Sequence, residues 1–161
     1  MGSDTDFPVM SEAGKTLKKF GIEYEMEVLS AHRTPARAHE YSSTAAKRGL
    51  KVVIAAAGAA AHLAGVMAAS TTLPVIGVPM ATSTLNGLDA LLATVQMPGG
   101  IPVATMAIDK AGAVNAAIFA AEILALSDEE IARKLATHKE ELVRSVAEKN
   151  ARLQKLIAEE K

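Results

Sequence analysis

Cysteine is absent from the 161 residues. That excludes disulfide staples, thiol nucleophiles and Cys-ligated metals, and it suits a reducing, cytoplasmic setting. Tryptophan is absent as well, and aromatics make up only 3% of the chain, too few to build base-stacking platforms. Neither charge dominates: 17 Lys+Arg stand against 18 Asp+Glu, a net charge of -1, which argues against electrostatic nucleic-acid binding. No uncharged apolar run approaches the ~18 residues of a spanning helix. The opening MGSDTDFPVM lacks the basic start and apolar stretch of a signal peptide. Neither a nucleic-acid nor a membrane partner is expected.

Small and aliphatic residues are what the chain has in quantity. Half of it is apolar, enough for one ordinary domain with a real core. Short apolar runs alternate with amphipathic stretches, the pattern of an α/β domain on a mostly parallel sheet. Strands are expected at 24–29, 51–57, 74–78 and 103–108, all parallel, because the runs are too continuous for one-sided sheets. Helices are expected at 7–20, closed by Gly21, at 35–48 behind Thr34-Pro35, and at about 62–70, 86–95 and 112–126. Ser127 to Glu130 reads as a capping box opening a long amphipathic helix to residue 161. The whole is read as a single domain, residues 1–161, with a core to residue 126 and a helical arm at 127–161. The segment 2–6 reads as a strand-to-helix loop with no strand ahead of it. Either residues precede Met1 or the domain has lost a strand that the pattern wants.

Four segments fall where strands should end and helices begin, the rim at which open α/β sheets bind ligands. They are 2–6, 30–35, 58–62 and 83–87. Hydroxyls and backbone N–H groups at helix starts suit an anion, and Arg33 adds a planar fork for phosphate. Each element has a plainer reading: Ser3, Thr5 and Asp6 as helix caps, Arg33 as a surface residue, His62 as a polar helix start. His39 and His138 lie within helices beside charged residues and are expected to be solvated. His32 stands between Ser30 and Arg33 directly after a predicted strand. Its imidazole is therefore aimed at the anion-binding rim, where it can accept and return a proton near neutral pH.

These motifs resemble, in order, those of the class I PurE family of N5-carboxyaminoimidazole ribonucleotide mutases. They are MGSDTD at 1–6, SAHRTP at 30–35, AAHL at 60–63, PVIGVP at 74–79, LNGLD at 85–89 and VQMPGGIPVAT at 95–105. The resemblance covers about residues 1–126. It implies a flavodoxin-like three-layer α/β/α domain, assembled as a homo-octamer, that moves a carboxylate from the exocyclic nitrogen of an aminoimidazole ribonucleotide to carbon C4. It implies no metal site and no organic cofactor. Carried onto matching positions, Ser3, Thr5 and Arg33 hold phosphate, Asp6 meets the ribose and Ser30 the base or carboxylate. His32 is the general acid/base. Gly58, Ala59, His62 and Leu63 belong to the wall of the imidazole and CO2 pocket.

The chain departs from the family pattern at several points. Ala56 and Ala59 stand where Gly is usual, Ala64 where Pro is, Ala90 and Ala93 where Ser is common, and Asp109 where Gly is. Alanine at a position needing positive φ costs about 1–2 kcal/mol, and new methyls are expected to crowd the CO2 pocket. Such departures would suit a redesigned family member. The competing readings are therefore an oligomeric scaffold with a blunted pocket and a class II aminoimidazole ribonucleotide carboxylase. A phosphate- or flavin-binding flavodoxin-type module would need stacking aromatics near the rim, which the chain lacks.

Overall fold

The computed structural model describes residues 1–160. Two compact units divide the chain, 1–121 and 122–161.

The first unit holds a three-stranded parallel sheet in the order β1 (Val53–Gly58), β2 (Val75–Met80), β3 (Ala104–Thr105). Val53 pairs with Val75 and Gly58 with Met80, while Ile76 and Gly77 meet Ala104 and Thr105. Every residue of β2 is buried, as expected of a central strand covered on both faces. Side chains alternate across a strand, and the neighbours of two residues identify the covering helices. A Cβ placed on Gly77 would meet Thr94 of α4 (Leu88–Val95) and Ala64 of α3 (Leu63–Ala68). Val78, on the opposite face, lies 3.3 Å from a Cβ placed on Gly112 of α5 (Asp109–Ala125). Helices thus cover both faces, giving the flavodoxin-like α/β/α arrangement. α2 (Pro35–Ala45) joins α3: Ala38, Ala45, Val53, Ala55, Leu63 and Met67 share one apolar cluster.

Helix α1 (Phe7–Phe20) ends as expected at Gly21, whose φ of 76° is left-handed. Gly21 and Ile22 N–H groups close the end on the Lys18 and Leu17 carbonyls, the Schellman pattern. α2 stops at Ala45 and is continued to Arg48 by a 3-10 turn before Gly49. The expected helix 112–126 begins earlier, at Asp109, whose φ is 56°. Aspartate tolerates that conformation better than most residues, and its Oδ1 accepts from the Ala81 N–H at 2.8 Å.

The expected strand at 24–29 is not one: residues 22–30 carry no regular secondary structure. A ladder requires a run of paired residues, and here only Met1 and Gly2 lie between this segment and β1. The Met1 amine donates to the Glu27 carbonyl, Leu29 N–H to the Met1 carbonyl, and Gly2 N–H to the Ala56 carbonyl, each at 2.9 Å. Those bonds hold the segment one strand position away from β1 without pairing along its length. Tyr24 and Met26 instead turn onto Gly14 of α1. The strand expected at 103–108 shrinks to Ala104–Thr105, whereas β2 runs two residues past its expected end, to Met80.

In the second unit, α6 spans Glu129–Glu159. Its N-cap is Asp128 rather than Ser127: the Asp128 carboxylate accepts from Glu130 and Ile131 N–H at 2.9 and 3.1 Å. Ion pairs such as Glu130–Lys134 at 2.7 Å line the helix, while Leu142, Val146, Leu153 and Leu156 are exposed. His138, expected in solvent, has a largely covered side chain. Among the described residues, no helix is long and apolar enough to cross a membrane.

Candidate functional site

At the carboxyl ends of β1 and β2 a cleft of about 360 Å³ opens. Residues of the turn 2–6, the loop 30–33, most of 57–63 and Thr82 line it. Nine of the ten predicted site residues face this one space: Ser3, Thr5, Asp6, Ser30, His32, Arg33, Gly58, His62 and Leu63. The tenth, Ala59, lies between lining residues but not on the wall.

The first wall is built by local hydrogen bonding. Ser3 caps the 3-10 turn Asp4–Asp6 that leads into α1, its Oγ accepting from Thr5 N–H at 3.3 Å and from the Thr5 hydroxyl at 2.8 Å. Asp6 completes a capping box by accepting from Ser3 N–H at 3.2 Å. Capping and site-building therefore coincide in the same residues. Asp6 is only 3% exposed. Burial pushes its carboxyl above the usual range, with Asp109 adding to the rise, while hydrogen bonds from Ser3 and Gly2 and the Met1 amine oppose it.

The second wall follows the segment 22–30 into α2. Its loop is closed by side chains: Ser30 N–H donates to Thr34 Oγ1 at 3.0 Å, and Thr34 N–H donates to the Ser30 carbonyl at 2.9 Å. Ser30 Oγ accepts from Arg33 N–H at 3.0 Å and from Arg33 Nε at 3.4 Å. A hydroxyl has two acceptor positions and one donor, so the Ser30 O–H remains free to donate to a ligand. Arg33 Nη2 reaches the Gly2 carbonyl at 3.4 Å, which ties the first two walls together and turns the guanidinium along the cleft.

The third wall is backbone and small side chains. Past Gly58 the chain makes two tight turns, Ala61 N–H to the Ala59 carbonyl and His62 N–H to the Ala60 carbonyl, both 2.8 Å. Ala59 is held at φ 52°. The backbone reason for glycine there is therefore present, and alanine bears the strain. Ala56 has no such conformation; it is a fully buried strand residue. Neither methyl lines the cleft, which corrects the expectation that both would crowd it. His62 presents its imidazole to His32: His32 Nε2 lies 2.8 Å from His62 Nδ1, with the rings 76° apart.

Thr82 escaped the sequence reading. The fourth rim segment is expected at 83–87, one residue too far along: with β2 ending at Met80, the residue that reaches the cleft is Thr82. Residues 83–87 instead form the turn into α4, with Asn86 and Gly87 left-handed. A Cβ on Gly58 would run into Thr82 Oγ1, so glycine is what lets β1 and the end of β2 close up here. Gly2, Ala31, Ala57 and Ala60 are further lining residues whose small or backbone contribution carries no chemical signal in sequence.

Parallel strands whose ends gather hydroxyls, a guanidinium and an imidazole pair around one cleft define an α/β protein that binds a small anionic molecule and can move protons on it. The chain belongs to the AIR carboxylase family, whose model matches residues 1–145. It is 60% identical over 139 residues to the N5-carboxyaminoimidazole ribonucleotide mutase of Pyrococcus abyssi, covering 86% of this chain and 79% of that protein. Over 139 residues it is 58% identical to the mutase of Thermotoga maritima, covering 86% and 80%. The crystal structure of Treponema denticola PurE superposes with a TM-score of 0.83 at 28% identity, covering 95% of this chain and 94% of that one.

Proposed function

We propose that this chain converts N5-carboxyaminoimidazole ribonucleotide to 4-carboxy-5-aminoimidazole ribonucleotide, with His32 as the proton carrier. The observation that carries the reading is the placement of His32 in one cleft with Ser30, Arg33 and the Ser3–Asp6 turn. The phosphate is assigned to Arg33, Ser3 and Thr5, the ribose to Asp6, and the migrating carboxylate to the free Ser30 O–H. Gly58, Ala60, His62 and Leu63 are assigned to the wall that keeps CO2 beside the ring.

The chemistry balances on one proton and one CO2. The bond from N5 to the carboxylate carbon breaks, CO2 leaves, and the nitrogen takes a proton from His32. Carbon C4 then attacks CO2, and the C4 proton returns to His32. The imidazolium is regenerated, and the reading calls for no cofactor. Confinement matters because CO2 lost to water aborts the cycle, and holding it against C4 replaces an unfavourable encounter.

The test is turnover of N5-carboxyaminoimidazole ribonucleotide, followed by the ultraviolet change of the aminoimidazole. Turnover abolished by His32→Asn supports the reading. A parent chain that binds nucleotide yet does not turn over favours the scaffold reading. The proposal extends to a cytoplasmic homo-octamer. Exposed Leu85, Leu88, Leu92 and Val95 around α4 and the exposed apolar side chains of α6 are the surfaces that such an assembly would cover. A monomer by light scattering at micromolar concentration overturns that part.

A further inference from the structure

His62 makes no cap to its own helix: it is the residue before α3, and its side chain bonds no backbone N–H there. Its backbone is nonetheless fixed, by the N–H bond to the Ala60 carbonyl and by its own carbonyl, which accepts from Val66 N–H at 3.0 Å. The adjoining Leu63 is 2% exposed, so the start of α3 is anchored in the core. The imidazole that emerges from this anchor has His32 as its partner, Nδ1 to Nε2 at 2.8 Å.

We propose that His62 is the positioning residue for His32, accepting the His32 Nε2–H at its own Nδ1 and thereby reserving His32 Nδ1 for the substrate. The proposal rests on the reading of His32 as the proton carrier. In that role His32 alternates between an imidazolium, which protonates N5, and a neutral ring, which takes the C4 proton. As an imidazolium it has a donor on both nitrogens, so a partner held at Nε2 through both states must be an acceptor. A His62 protonated on Nε2, with its Nδ1 lone pair toward His32, meets that condition. The neutral ring is then held as the Nε2–H tautomer with the lone pair on Nδ1, the form required to receive the second proton. One nitrogen stays bonded while the other gains and loses the proton, so no ring flip is needed between the two steps. A residue that fixes ring orientation and tautomer in this way commonly acts through such a second hydrogen bond.

The choice of variants makes the idea testable. Asparagine Oδ1 lies close to where His Nδ1 lies, so His62→Asn retains an acceptor toward His32, whereas His62→Leu removes it. In the full-length protein with 15N-labelled histidine, the His32 ring should show a protonated Nε2 and an unprotonated Nδ1 in the neutral form. That pattern should persist in His62→Asn and give way to a tautomer mixture in His62→Leu. In turnover, His62→Leu should lower kcat by roughly tenfold or more, less than the ~10²–10⁴ expected for losing the base itself, with KM little changed; His62→Asn should recover most of the loss. A His32 tautomer unaffected by His62→Leu, or a defect confined to KM, overturns the positioning role and leaves His62 as a substrate contact. Full turnover in His32→Asn defeats the parent reading instead, and the proposal with it.

Discussion

Two loops of the cleft do the same architectural task by opposite means. The loop 30–34 is closed largely by side chains: Thr34 Oγ1 accepts from Ser30 N–H, Ser30 Oγ accepts from Arg33 N–H, and the Arg33 side chain is folded back onto Ser30. None of its residues has positive φ. The loop 58–62 has almost no polar side chain to work with and is closed by its own backbone, through two tight turns and a left-handed Ala59. The first loop can carry chemistry because its frame is made by residues other than His32. The second presents a surface of small groups, because nothing larger than a methyl precedes His62 within it. Each loop then contributes one imidazole, and the two meet.

The largest expected effect breaks the chemistry while sparing the frame. His32→Asn should leave folding and nucleotide binding intact and lower turnover by roughly 10²–10⁴, the usual general acid/base contribution. The measurement is single-turnover absorbance beside calorimetric binding. Equal turnover in parent and variant would remove the catalytic assignment. Arg33→Ala comes next. It removes the fork proposed for phosphate and the Arg33 Nε–Ser30 Oγ bond, so nucleotide affinity should weaken by about 1.5–3 kcal/mol. Unchanged affinity in titration calorimetry would make Arg33 a surface residue that merely rests on Ser30.

The side-chain loop was legible in the sequence and the backbone loop only partly so. Ser30, His32 and Arg33 are polar residues clustered after an apolar run, and that clustering is itself the signal. Ala59 was marked because alanine stood where glycine is usual, but sequence could not separate it from Ala56, since φ is a property of the folded chain. The helix-to-sheet alternation read through correctly because periodicity reports burial. What it missed were features set by neighbours. The segment 24–29 has strand composition, yet its pairing depends on what lies beside it, and only Met1 and Gly2 do. Thr82 lies one residue ahead of the candidate segment 83–87; in a rim-type site the first residues past the strand face the cleft, and the next ones here turn away into α4.

A third substitution tests the close approach behind the backbone loop. Gly58→Ala adds a methyl against Thr82 Oγ1 and 3.2 Å from the Met80 carbonyl. Overpacking of this kind costs about 1–3 kcal/mol. Urea unfolding should show the loss, and Thr82→Ala in the same chain should recover part of it through direct coupling. Additive effects would mean that the two residues do not compete for the same space.

The smallest expected effects distinguish the two alanines. Ala56 is completely buried in β1 with an ordinary strand backbone. Ala56→Gly therefore removes a packed methyl and loosens a strand, and should destabilise by about 0.5–1 kcal/mol. Ala59 is exposed and left-handed. For Ala59→Gly, relief of about 1–2 kcal/mol of strain is partly offset by the roughly 0.4–1 kcal/mol that glycine's freedom gives the unfolded chain. The net is a stabilisation of at most about 1.5 kcal/mol. The same exchange should thus move the unfolding midpoint in opposite directions at positions three residues apart. A shift of the same sign at both would show that the strain at Ala59 is not borne by its backbone, and the contrast between a side-chain-closed loop and a strained backbone loop would then fail at the point where it is sharpest.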